Sequence, residues 1–178
     1  MTRQILPATL LLLSVSLAAM TASASGRADS NDGLGLDAFA RRAAGTYLLQ
    51  FGCGDQPAEP PEMLVTLGAD GTYVSEDTAD LGDNPVLSRA GGLRGSWVRT
   101  GRAAVAIAAI DFEFDASGVQ IGYLRWDPVA VFDTAFTQIS LGGPAGLYTA
   151  SQDPLNPNET PFLALDCGGT GRKVLVRQ

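Results

Sequence analysis

Apolar and polar positions alternate in short extended runs from Gly45 to the end of the chain. Gly, Asp, Asn and Pro separate the runs at steps of roughly 8–12 residues, the spacing of an all-β sandwich or barrel. The runs cover residues 46–52, 63–67, 72–76, 93–100, 102–115, 119–126, 129–132, 135–141, 146–151, 162–167 and 173–176. Gly68-Ala-Asp-Gly71 and Asp115-Ala-Ser-Gly118 are tight reversals between neighbouring runs. Residues 36–44 have a helical pattern instead, with Asp37 as N-cap, Phe39 facing the body of the protein and Gly45 as the stop. No helix long enough for a parallel crossover follows.

The two cysteines, Cys53 and Cys167, read as one disulfide in an oxidising compartment. That bond places the first strand beside the next-to-last, as closure of a meander requires, and closure removes the exposed edges of an open sheet. The expected fold is all-β: an antiparallel up-and-down barrel of about 8–10 strands with a short N-terminal helix and one disulfide. A Greek-key sandwich would bring the same cysteines together and is the alternative.

Residues 1–24 have the form of a signal peptide: Arg3, an apolar run over residues 5–20, and the small-x-small sequence Ala22-Ser23-Ala24. The run is too short to span a membrane. Residues 25–35 read as a flexible linker and 36–178 as the barrel domain, in a secreted or periplasmic protein. The full chain carries 19 acidic and 12 basic side chains, −7 overall. Removing residues 1–24 loses only Arg3, leaving 19 against 11, or −8. This balance argues against nucleic acid, which requires a basic face. The chain has no His, which excludes Ser-His-Asp and Cys-His catalysis and His-ligated zinc. No metal and no cofactor are expected.

The stretch Phe39-Ala-Arg-Arg-Ala-Ala-Gly45-Thr-Tyr47 resembles the Gly-x-Trp opening of the calycin superfamily, which includes the lipocalins. Gly95-Ser-Trp97-Val-Arg-Thr100 and Phe112-Glu-Phe114-Asp-Ala-Ser-Gly118 fit the same meander. Tyr47 stands where that family has Trp. The resemblance implies a small exported barrel, a cation packed on Tyr47 (Arg172 or Arg177), and ligand binding.

On the longest run, Ala104, Ala106, Ala108, Ile110, Phe112 and Phe114 form a uniformly apolar face, expected to point inward, with the three alanines leaving room for a ligand. Asp111, Glu113 and Asp115 fall at alternate positions and read as a solvated outer face, since three like charges are costly inside. On the next run, Val119, Ile121, Tyr123 and Arg125 alternate with Gln120, Gly122, Leu124 and Trp126, and either set faces inward. The candidate ligand-binding residues are Tyr73, Trp97, Phe112, Phe114, Tyr123 and Arg125, with the guanidinium of Arg125 as anchor for a carboxylate or carbonyl. Asp77, Asp80, Asp83 and Asn84 read as a solvated loop in preference to a calcium site. Asn158-Glu-Thr160 has the form of a glycosylation acceptor, and Gly168-Gly-Thr-Gly171 reads as a turn.

The function these residues point to is an exported, non-enzymatic barrel that binds a small apolar or amphiphilic molecule. One alternative is a cyclase- or isomerase-type enzyme that uses neither metal nor His. Another is a protein-binding module, such as a protease inhibitor, acting through its long loops.

Overall fold

The structure, a computed structural model, describes residues 33–54, 61–77, 89–90 and 92–175. The expected signal peptide, most of the linker, the acids Asp80 and Asp83 with Asn84, and Arg177 lie outside the described residues. Among the described residues no helix is long and apolar enough to cross a membrane.

Helix α1 spans Gly33–Ala43. It begins three residues before the stretch that its sequence suggests, so Asp37 lies within it and not at its cap. Ten strands follow: β1 (Gly45–Cys53), β2 (Glu62–Leu67), β3 (Thr72–Asp77), β4 (Arg89–Ala90), β5 (Arg94–Arg99), β6 (Ala104–Phe114), β7 (Gln120–Trp126), β8 (Val129–Phe132), β9 (Gln138–Thr149) and β10 (Leu163–Lys173). All pair antiparallel, and β1–β10 pairing closes them into a barrel.

The barrel has eight staves, because β7 and β8 are two halves of one. Both lie between β6 and β9. Pro128 interrupts the stave, yet the ladder continues across it: Ile107 N–H donates to Pro128 O at 2.9 Å and Asp127 N–H to Pro144 O at 3.1 Å. The short β4 pairs only with the far end of β6.

Two sequence expectations fail here for one reason. Residues 142–145 and 168–172 are not turns; they are the middles of the long strands β9 and β10. Their glycines serve close backbone approach. A Cβ at Gly143 would lie 2.8 Å from Pro128 Cα, and one at Gly168 would lie 2.8 Å from Leu141 O.

At the end where α1 enters, aromatic rings fill the barrel. Phe39 lies 5.4 Å from Phe136, 6.2 Å from Trp97 and 6.3 Å from Phe132, centroid to centroid. Phe136 is held at φ 60° in the β8–β9 turn, where Asp133 accepts the N–H groups of Gln138 and Thr137. Those bonds, that of Gln138 foremost, hold the Asp133 carboxyl below its usual range.

Tyr47 lies beneath this cluster, fully buried, its hydroxyl donating to Ala43 O at 2.8 Å. The cation on its ring is Lys173, not Arg172: Lys173 Nζ is 5.4 Å from the Tyr47 centroid and donates to Arg42 O at 2.8 Å. The last described strand thus locks the helix end to the first. Gly45 makes the corner between them with φ 140°, and a side chain there would collide with Lys173.

Burial, with a smaller contribution from Asp133, pushes the Tyr47 hydroxyl up to about 12. An unfolded chain ionises its tyrosines near 10, so the unfolded state releases this proton first. The contribution is therefore intact below pH 10 and is lost as pH rises towards 12, by about 2–3 kcal/mol in total. Urea midpoints at pH 8 and pH 11.5 should fall less for Tyr47→Phe than for the wild type. Equal falls would show that Tyr47 is not the group responsible.

Candidate functional site

The parity of β6 is the reverse of the sequence expectation. Val105, Ile107, Ala109, Asp111 and Glu113 face the interior, whereas Phe112 is 52 % exposed and Ala108 is exposed. Asp111 and Glu113, expected on a solvated face, are 3 % and 2 % exposed. The physical reason lies in volume. Val105 and Ile107 fill the barrel better than Ala104 and Ala106, and they carry the carboxylates inward by alternation. The alanines expected to leave a cavity line the outside.

On β7 the buried member is Trp126, 1 % exposed, its Nε1–H donating to Gly143 O at 3.2 Å. This fixes Gly122 and Leu124 as its inward companions. Tyr123 and Arg125 therefore face outward, and Arg125 is no interior anchor. Its guanidinium binds both carboxylate oxygens of Asp127, at 2.7 and 3.2 Å, and donates to Pro154 O at 2.7 Å. It pins the connection between β9 and β10 to the outer wall. The Tyr123 and Phe112 rings, 5.7 Å apart, line an outer groove of about 400 Å³ under that connection, with Pro154 and Leu155 opposite. Phe114, past a bulge between Glu113 and Phe114, is half-buried. Trp97 does face inward but belongs to the aromatic plug, with Nε1–H donating to Gly68 O at 3.0 Å. Tyr73 also lies inside, 1 % exposed, but next to Leu67 and so at the Gly45 end of the barrel; the expected residues do not gather at the opposite end.

That opposite end holds the polar interior. Asp111 and Glu113 project from β6 near its end remote from α1, and Ser75 from the middle of β3; Tyr73 stands at the other end of β3, next to Leu67, which pairs with Gly45. The intervening strand contributes little bulk: Gly95 pairs with both Tyr73 and Ala109. Met63, Leu93, Leu124 and Leu147, all buried or half-buried, are apolar residues of the same barrel interior.

Asp111 also holds backbone. Its Oδ2 accepts the N–H of Gly92 at 2.9 Å and its Oδ1 that of Phe112 at 2.7 Å. Gly92 stands just before β5 with φ 80°. Both carboxylate oxygens of Glu113 are shielded from solvent one step nearer the rim. Retaining two carboxylates here is expensive unless each is well met, since desolvating an ion costs several kcal/mol. Sequence reasoning missed Ser75, Asp111 and Glu113, although Val105 and Ile107, earlier on the same face of β6, carried the signal.

Among the described residues, no group of three or more Cys, Asp or Glu side chains is arranged to hold a metal ion. The cysteines form the expected disulfide, joining directly opposed residues of β1 and β10 near this same end.

No protein-family model matches the chain, and no curated protein matches it. A solved structure of EF1p2_mFAP2b bound to DFHBI is similar over 78 % of this chain and 99 % of the other, at 11 % identity and a TM-score of 0.46. That likeness is too distant to carry anything about ligand or activity. The architecture stands on the chain's own contacts: a closed eight-stave antiparallel barrel, plugged by a short helix and stapled by Cys53–Cys167.

Proposed function

We propose that the chain is an exported barrel that binds a small amphiphile at the end remote from α1, with the polar end of the ligand on Glu113. The observation that carries this is the pair of buried carboxylates on β6, set among apolar side chains with the buried hydroxyl of Ser75 on β3. Small-molecule sites combine such walls with a few convergent polar groups. The polarity differs from the sequence expectation, since the guanidinium of Arg125 is outside and the interior groups are acceptors or hydroxyls. The ligand class is therefore an apolar body with a donor or cationic head, and not a carboxylate. Asp111 serves as a positioning residue through Gly92, and Glu113, one step nearer the rim, is the proposed headgroup contact.

Dodecylammonium and dodecanoate, titrated against the oxidised protein, test this directly. The ammonium should bind at least about tenfold tighter, equivalent to about 1.4 kcal/mol. Glu113→Gln, which keeps the shape, should erase that preference. Equal binding of the two probes, or a preference that survives Glu113→Gln, sinks the proposal.

The shielded carboxylate of Glu113 also favours a second reading, a ring-closing or isomerising enzyme with Glu113 as its general acid or base. Native mass spectrometry of protein exported by its own host, before and after organic extraction, separates the two. A co-purified molecule recovered unchanged after incubation supports binding, and conversion to an isomer supports catalysis.

A further inference from the structure

A larger concavity, about 610 Å³, lies on the outside of the barrel across β2, β1, β10, β9 and β8. The ladder registers align its side chains in two rows. Glu62, Gln50, Thr170, Ser140 and Val131 are successive cross-strand neighbours over all five strands. Leu48, Arg172 and Gln138 form the parallel row beside them. At about 4.8 Å between strands, the first row is about 19 Å long.

The chemistry of this surface is narrow. Gln50 and Gln138 each offer a carbonyl and an NH₂, and Ser140 and Thr170 each offer a hydroxyl that donates or accepts. Leu48 and Val131, 39 % and 50 % exposed, supply aliphatic patches. Among the described residues, the only aromatic one lining the groove, Phe132, has its ring turned into the core. These strands are paired on both sides, so there is no edge on which an extended peptide could add as a further strand. Recognition here falls to side chains.

Arg172 is the single cation of the groove, and among the described residues it makes neither an ion pair nor a side-chain hydrogen bond. Asp133, at the groove edge, does not neutralise it, because its oxygens accept from Thr137 and Gln138 in its own turn. Glu62, the groove's other acid, stands on β2, two strands away from Arg172, and a guanidinium beside amides and hydroxyls matches a carboxylate bidentately. One cation in a chain of net charge −7 does not suit a polyphosphate, and two small aliphatic patches do not bury an acyl chain.

We propose that this groove binds a carboxylate-bearing saccharide, with the carboxylate on Arg172 and ring hydroxyls on Gln50, Gln138, Ser140 and Thr170. The site is separate from the interior one and does not depend on it.

The test uses the oxidised full-length protein and a short galacturonic acid oligomer, with its methyl ester as the uncharged twin. Backbone amide shifts should move at Leu48, Gln50, Gln138, Ser140 and Thr170. Affinity should fall about tenfold for the ester and about tenfold for Arg172→Gln, with the Tm of the variant unchanged. Gln50→Ala should weaken the acid and the ester alike, separating the hydroxyl contacts from the charge contact. Equal affinity for acid and ester, shifts confined to other faces, or displacement by equimolar inorganic phosphate would each overturn the assignment, the last by reducing the groove to a simple anion site.

Discussion

Truncating Phe39 to alanine should destabilise the protein by about 3–5 kcal/mol, among the largest effects available to a single side chain. Phe39 is the one aromatic that α1 delivers into the barrel, and its ring meets Trp97, Phe132 and Phe136. Arg99 lies over its other side at 4.7 Å. Removing the ring leaves a cavity between rigid strands, which cannot close around it as a loop would. The helix loses its main hold at the same time. For a domain of this size the cost corresponds to a fall of about 10 °C in Tm. Phe39→Leu, which fills most of the volume, should recover more than half of the loss. A cost below about 1 kcal/mol for the alanine variant would mean that α1 is not docked as described.

The second large effect is expected from Cys53→Ser with Cys167→Ser. The bridge spans a sequence separation of 114, for which the chain-entropy account gives about 4–5 kcal/mol. Six further registered pairs between β1 and β10 remain, from Tyr47–Lys173 to Gly52–Gly168. The variant should therefore keep the far-ultraviolet spectrum of the wild type while its urea midpoint drops sharply. Reducing the wild type should reproduce the same midpoint. Reduction that leaves the midpoint within about 1 kcal/mol of the oxidised value would show that the unfolded chain is already restricted by other means.

The barrel was legible because its evidence is distributed: alternation in many short runs, reversals at Gly68-Ala-Asp-Gly71 and Asp115-Ala-Ser-Gly118, and two cysteines at the ends of the meander. The candidate site was not. Both faces of β6 are rich in alanine, so the carboxylates dominated the choice of face, and they pointed to water. The volume difference between Val105 with Ile107 and Ala104 with Ala106 is a weaker cue locally, but burial follows it. Similarly, the glycines of β9 and β10 look like punctuation in a one-dimensional pattern. Only the third dimension shows that they let neighbouring backbones approach. Lys173 escaped notice as the partner of Tyr47 because alternation alone does not say which of two adjacent cations at the strand end turns inward.

The pairing of β1 with β10 also dictates the order of events as the chain is made. Every other neighbouring stave can form by a local hairpin or a short return, but β1 must wait for a strand more than a hundred residues later. Until then its edge is open and the thiol of Cys53 has no native partner. Long-range closure of this kind raises contact order and slows folding, and an unpaired strand edge exposed meanwhile invites aggregation. Closure and oxidation thus fall together as the final step, and conditions that oxidise Cys53 early, with any thiol other than Cys167, trap the barrel open.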